Sequence, residues 1–178
     1  MNIVIRSLGA DDIKSYFDCG NIELNQFFKN YASQNQFKNY IGVTYVAVIN
    51  NIIVGFITIS ASSIKIDNYT NIKIKLPKYP LPILRISRLA VDTNYQNKGI
   101  GKKLFKQALN LALEQKNKFG CIGVVVDAKK ESLDFYKQFG FEFIDIINGH
   151  INTRPFYQTM FLSIKTIQKA MIKHQEKS

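Results

Sequence analysis

Between residues 86 and 119 the sequence passes from ISRLAVD, a strand pattern, through TNYQNKG into IGKKLFKQALNLALEQKNKF, the longest helical pattern in the chain. A strand delivered into a helix by so short a turn must lay that helix back on its own sheet, so this stretch commits the chain to a strand–helix crossover. Ile100, Leu104, Ala108, Leu111 and Ala112 fall on one helical face, with Lys102, Lys103, Lys106 and Gln107 largely elsewhere.

The remaining pattern surrounds that crossover with a mixed set of elements. NIVIR predicts a short strand and DDIKSYF a short helix opened by acidic residues that suit its N-terminal dipole. In NIELNQFFKNYASQNQF, the residues Leu24, Phe27, Phe28, Tyr31 and Ala32 share one helical face. GVTYVAVINNIIVGFITISASS holds two β-branched runs broken at Asn50 and Asn51, which tolerate the left-handed backbone of a hairpin turn. Pro77, Pro80 and Pro82 impose an extended connection before the strand ILRISRLAVD. Beyond the long helix, IGVVVDA predicts a buried strand, KESLDFYKQF a short helix stopped by Gly140, FEFIDII and YQTMFLSI two strands, and the C-terminal segment a basic helix. Hairpins together with one right-handed crossover give an α+β fold with a mixed sheet. At 178 residues and 46% hydrophobic, the chain suffices for one buried core and is short for two, so residues 1–178 are expected to form a single domain.

The turn suggests chemistry as well as topology. The first N–H groups of a helix lack intrahelical acceptors and point outward, and Gly99 and Gly101 permit positive φ and close approach of a phosphate, with Lys98 and Lys102 adding charge. A G-x-x-x-x-G-K-[ST] loop is missing, as is the third glycine of a dinucleotide fingerprint, so nucleotide hydrolysis loses support. On its own, a G-x-G after a strand turns a chain as readily as it binds an anion. A net charge of +11 and a pI near 9.6 favour polyanionic partners, although a Lys-, Asn- and Ile-rich composition yields basic proteins anyway. No apolar run reaches membrane-spanning length, and MNIVIRSLGADD meets acidic residues too early for a secretion signal, so a cytoplasmic protein without membrane contact is expected. Cys19 and Cys121, with His150 and His174, offer no zinc-type spacing, so neither metal nor disulfide is expected.

The run RLAVDTNYQNKGIGKKL resembles the coenzyme motif of the GNAT acetyltransferases, [QR]-x-x-G-x-[GA] between strand and helix, and FYKQFGF resembles that family's last signature. FDCGNIELNQFF, YASQNQ, YPLPILRISRLAVD and VVVDAKKESLDFY are similar to the acetyltransferase toxins of bacterial toxin–antitoxin modules. The resemblance implies a three-layer α/β/α fold whose mostly antiparallel sheet splays at the coenzyme, and acetyl-coenzyme A as cosubstrate. It implies that Leu89, Ala90 and Val91 run beside the pantetheine arm and that Gln96, Asn97, Lys98, Gly99, Ile100, Gly101 and Lys102 hold the pyrophosphate. Tyr136 becomes the catalytic candidate: attack of an amine on a thioester expels a thiolate, which a phenol of pKa near ~10 can protonate. Without the resemblance, Phe135, Tyr136, Phe139 and Phe141 read as an aromatic core cluster.

Further candidates concern the acceptor. The strand ILRISRLAVD has no carboxylate before Asp92 to act as general base. A lysine amine of pKa about 10.4 needs such a base more than an α-amine near ~8, so an α-amine is the expected acceptor, with water or a backbone carbonyl taking the proton. Asp127 is read as a structural strand-end residue. Arg85 and Arg88 stand an odd number of positions apart and project to opposite faces, so one is expected at the acceptor's phosphates and the other paired inside the fold, with no assignment of which. In IKTIQKAMIKHQEKS, Lys165, Lys169, Lys173 and Lys177 recur every four residues as a basic stripe, opposite Ile164, Ile167 and Met171. The toxin resemblance implies aminoacyl-tRNA as acceptor, a small antitoxin protein as partner, and leaves dimerisation undecided. The alternatives are a GNAT enzyme acting on a small amine or protein N-terminus, and a binding protein working with an antitoxin on DNA.

Overall fold

The computed structural model describes residues 2–65, 77, 79–144 and 157–175. Its elements are β1 (Val4–Ser7), α1 (Ile22–Gln26), a π-helical turn (Phe27–Tyr31), α2 (Ala32–Phe37), β2 (Val43–Ile49), β3 (Ile52–Ile64) and β4 (Leu81–Val91). They continue through a 3₁₀ turn (Thr93–Tyr95), α3 (Ile100–Phe119), β5 (Gly123–Ala128), a 3₁₀ turn (Lys130–Ser132), α4 (Leu133–Lys137), β6 (Glu142–Phe143), β7 (Gln158–Ser163) and α5 (Ile164–Gln175). The strands make a seven-stranded mixed sheet in the order β1-β2-β3-β4-β5-β7-β6.

Two compact units are distinguished: Met1–Ser60 with Ile86–Asn110, and Ala61–Arg85 with Leu111–Ser178. The first has helices on both faces of its strands. Asn50 and Asn51, both at positive φ, turn β2 into β3, and the antiparallel register sets Val46 opposite Phe56 and Ala47 opposite Gly55. Neighbouring strand residues point to opposite faces. Phe56 therefore stacks on Phe28, ring centroids 4.4 Å apart, within a cluster that includes Leu8, Phe17, Phe27 and Ala32. Gly55 faces the other way, where a Cβ would stand 3.0 Å from Leu104 Cδ1 and 3.2 Å from Ile100 Cγ2. Only glycine lets the first turns of α3 sit this close. Ile100, Leu104, Phe105, Ala108 and Ala112 are buried, as the helical face of the sequence requires, and Leu111 is half-buried.

In the second unit, β5 and β7 pair antiparallel from Gly123↔Ser163 to Ala128↔Gln158, and β6 adds Glu142↔Phe161 and Phe143↔Met160. Gly123 is again a packing device, since a Cβ there would fall 2.4 Å from Leu162 O. Ile164 and Ile167 bury one side of α5 while Lys165 and Lys169 stay exposed.

The elements depart from the sequence expectation in several places. DDIKSYF forms no helix: the Asp12 carboxylate binds Arg6 twice at 2.7 Å and accepts from Gly9 N–H, so it closes a turn instead of capping a helix. The helix expected over 21–37 is interrupted by the π turn, in which Ala32 N–H reaches back to Phe27 O. The extra residue rotates the later face, so Ala32 remains buried while Tyr31 turns outward. Pro82 lies inside β4, as its second residue, and its carbonyl accepts from Ile122 N–H. Of FEFIDII only Glu142–Phe143 is strand, and residues 145–150 lie outside the described set.

Candidate active site

The glycine turn of the first unit is built by side chains that close the chain on itself. Asp92, buried at the end of β4, accepts from Asn94 N–H (3.0 Å), Asn94 Nδ2 (3.2 Å) and Asp18 N–H (3.1 Å), and its own N–H reaches Val54 O. Gln96 donates its amide to Val91 O (3.0 Å) and Cys19 O (3.3 Å). Lys98 Nζ donates to Asn94 O and lies 5.2 Å from the Tyr95 ring. Asn97 and Gly99 then adopt positive φ, +60° and +78°, which reverses the backbone into α3. Gly101 takes no part in that reversal. It lies in the first turn of α3, so the second left-handed residue is Asn97 rather than Gly101.

Gly99 stands at the N-terminus of α3 with no side chain to cap it, and the first intrahelical bond runs from Lys103 N–H to Gly99 O. The N–H groups of Ile100, Gly101 and Lys102 are therefore the ones a ligand can take. A Cβ added at Gly99 meets nothing within 4 Å, so the space above the turn is open. Ile100 contributes only backbone, its side chain being core, as is that of Ala90; Leu89 and Val91 are half-buried, and Gln96, Asn97, Lys98 and Lys102 exposed. An open, cationic, uncapped helix end fits a phosphate-bearing coenzyme.

A second layer braces the turn. Asp18 Oδ1 accepts from Gly20 N–H and Asn25 Nδ2, and these two bonds, the backbone one foremost, hold its carboxyl below the usual range with help from the charge of Lys29. Asn25 Oδ1 accepts from Cys19 N–H at 2.9 Å, and Thr93 N–H donates to Asp18 O at 2.8 Å. Sequence reasoning missed Asp18, Asn25 and Asp92 as supports, although the D-x-N spacing at Asp92 and Asn94 is the pattern of an Asx turn. Gly55 carried no signal, since its need arises from the α3 side chains above it.

Tyr136 belongs to the second unit. It is buried in α4, edge-on to Phe135 (centroids 5.2 Å) and Phe141 (5.5 Å), and burial pushes its phenol well above the ordinary tyrosine range. Such a phenol is neutral at every physiological pH and carries a proton to give. Burial also makes it a weaker acid than free tyrosine.

The acceptor candidates are dispersed. Arg85 forms an ion pair with Asp127, whose other oxygen accepts from Thr159 Oγ1 at 2.8 Å. Arg88 lies with its guanidinium carbon 3.8 Å from the centroid of the Phe27 ring, held by a cation–π contact. Lys165 and Lys169 are exposed on α5; Lys173 is in the same helix, its side chain beyond the described set, and Lys177 lies outside it. Among the described residues no helix is long and apolar enough to cross a membrane, and no group of His, Cys, Asp or Glu gathers as metal ligands.

Comparison with known proteins adds relatives to this geometry. A family model described as the acetyltransferase (GNAT) domain matches residues 14–150. A tRNA-acetylating toxin of Mycobacterium tuberculosis (strain ATCC 25618 / H37Rv) is 28% identical over 135 residues, 75% of this chain and 80% of that protein. The fold superimposes on AtaT complexed with acetyl-methionyl-tRNAfMet with a TM-score of 0.78 at 24% identity, covering 96% of this chain and 99% of that one. It superimposes on AtaTR bound with AcCoA at 0.76 and 24% identity, covering 95% and 98%. At such identities the two structures speak for the fold.

Proposed function

The chain belongs to the GNAT acetyltransferase family, and from that premise we propose that it acetylates the α-amine of an aminoacyl-tRNA with acetyl-coenzyme A, withdrawing the charged tRNA from translation. The observation that carries the coenzyme side is the open N-terminus of α3 behind Asn97 and Gly99. The acceptor side draws support from the M. tuberculosis relative and from the +11 charge. In the same reading a small antitoxin protein neutralises the enzyme in the cytoplasm, as the likeness to AtaTR suggests.

Bound acetyl-coenzyme A supplies an acetyl group activated as a thioester. The N–H groups of Ile100, Gly101 and Lys102 would hold its pyrophosphate, and the backbone of Leu89 to Val91 would bind its arm. Tyr136 gives its proton to the departing sulfur. Burial makes the phenol a weaker acid, so it donates only as the carbon–sulfur bond breaks and charge builds on the departing sulfur. No carboxylate occurs in β4. An α-amine of pKa near ~8 is partly neutral at pH 7 and can lose its second proton to water.

The test is transfer of radiolabelled acetyl onto a total charged-tRNA pool, followed by mild alkaline release and identification of the N-acetylated amino acid. Label on one or a few amino acids supports the reading. Label on free amines or protein N-termini, with none on charged tRNA, replaces it with the small-amine alternative.

A further inference from the structure

One face of the strands in the second unit changes character along its length. Ile83, Val125 and Phe161 form an apolar cluster with Ile64, and Ile144 packs against it. Strand residues two positions apart share a face, so the next step along β4, β5 and β7 sets Arg85, Asp127 and Thr159 beside one another. They are joined there: Arg85 Nη1 donates to one oxygen of Asp127, and Thr159 Oγ1 donates to the other at 2.8 Å. All three belong to the second unit, and they tie its three neighbouring strands at one place. The ion pair stands partly in solvent, the Arg85 side chain 26% and the Asp127 side chain 43% exposed, so it adds little to stability. Thr159 has a second engagement. It stands opposite Asp127 in the register of β5 and β7, and β6 runs along β7 until Ile144 N–H donates to Thr159 O at 3.1 Å. The segment 129–141, which carries Tyr136, therefore leaves the sheet beside Thr159 and returns through β6 to the same residue. Within it, α4 is five residues long, too short to hold its place unaided. The rings of Phe135, Tyr136, Phe139 and Phe141 pack on one another, and contacts of that kind travel with the segment.

We propose that Arg85, Asp127 and Thr159 are positioning residues for the proton donor. By fixing the end of β5 to the residue of β7 at which the segment returns, they set where Tyr136 presents its hydroxyl. The inference deepens the proposed function and rests on its reading of Tyr136 as the acid that protonates the departing sulfur. A small displacement of a reacting group lowers a rate far more than the loss of a half-exposed ion pair lowers stability, so the two roles of such a network can be told apart.

Thr159→Val keeps the β-branched shape that suits a strand and removes the hydroxyl, whereas Thr159→Ser keeps the hydroxyl. Acetyl transfer by the full chain to a charged-tRNA pool should show kcat lowered about tenfold in Thr159→Val and in Asp127→Ala and close to wild type in Thr159→Ser, with acetyl-coenzyme A affinity and acceptor KM unchanged. Tm should move little in Thr159→Val. Because the network acts through one phenol, adding Thr159→Val to Tyr136→Phe should slow transfer no further than Tyr136→Phe alone. Full-rate transfer by either Thr159→Val or Asp127→Ala, or a loss that multiplies with that of Tyr136→Phe, overturns the proposal and leaves an ordinary cross-strand ion pair. A fall in kcat matched by an equal fall in the fraction of protein that binds acetyl-coenzyme A does the same, since it reports misfolding. The failures are distinguishable. Near wild-type transfer by Tyr136→Phe removes the acid itself, whereas a slow Tyr136→Phe beside a full-rate Thr159→Val sinks the network alone. Should label settle on small amines instead of charged tRNA, the same double-mutant cycle measured on that acceptor decides the network independently of the acceptor.

Discussion

Tyr136→Phe removes the hydroxyl and keeps the ring that packs edge-on against Phe135 and Phe141. Tyr136→Phe is therefore expected to fold and to bind acetyl-coenzyme A, while kcat falls on the order of 10²-fold or more, measured as single-turnover acetyl transfer. A near wild-type rate would return the phenol to the aromatic core cluster that the bare sequence suggests. The pH dependence follows from the same burial. The folded phenol titrates above its unfolded value, so the stability it confers is complete below about pH 10 and is lost as pH rises beyond it. Alkaline melting curves should show Tyr136→Phe gaining on the wild type only above that pH. At Gly99 two effects can be separated. Gly99→Asn tolerates the positive φ and adds no charge, whereas Gly99→Asp caps α3 favourably but sets a carboxylate where the pyrophosphate would lie. Calorimetry is expected to find acetyl-coenzyme A affinity reduced modestly in the first and steeply in the second, with both proteins folded. Equal affinities in Gly99→Asp and the wild type would remove the turn from the coenzyme site.

At the scale of elements, α3 and the β2–β3 hairpin are legible because one residue pattern serves both local propensity and burial. The Ile100 to Ala112 face and the Asn50–Asn51 turn need nothing from elsewhere in the chain to be recognised. The 11–17 segment and the π turn were not legible, because tertiary partners decide them: Asp12 is claimed by Arg6, and Phe27 and Phe28 both seek the cluster around Phe56, which the inserted residue accommodates. The candidate site divides along the same line. Gln96, Asn97 and Gly99 stand together in one motif, while the loop that holds them comes from residues 18–25, about seventy positions earlier. That brace makes a prediction of its own. Asp92→Ala leaves Asp18 N–H, Asn94 N–H and the Asn94 amide without their acceptor, at a cost of about 1–3 kcal/mol for each donor that stays buried. Thermal melting should fall by several degrees, and acetyl-coenzyme A affinity should drop even though Asp92 itself offers a phosphate nothing. An unchanged affinity in the folded variant would mean that the turn keeps its shape without the brace.

For the molecule as a whole, the +11 charge discriminates between acceptors more sharply than any single side chain. Lys165 and Lys169 are exposed on α5 opposite the buried Ile164 and Ile167, so neither is engaged in holding the helix down. If they meet phosphates, each contact releases a counterion, and log KM for the acceptor should rise with log salt at a slope of about one per contact. Acetyl-coenzyme A, with far fewer charges to neutralise, should show a shallower slope in the same buffers. Replacing Lys165 and Lys169 by Glu should then lower the acceptor slope by about two and raise acceptor KM at low salt, while coenzyme binding and Tm stay as they were. Adding Lys173→Glu should continue the trend if all three lysines of the stripe take part. Uncharged tRNA should compete for the enzyme with the same salt dependence yet receive no acetyl group, since it lacks the α-amine. A flat salt profile for the acceptor, or a free amino acid ester acetylated as well as the charged tRNA, would place recognition in the amine alone and leave the basic stripe to ordinary solvation.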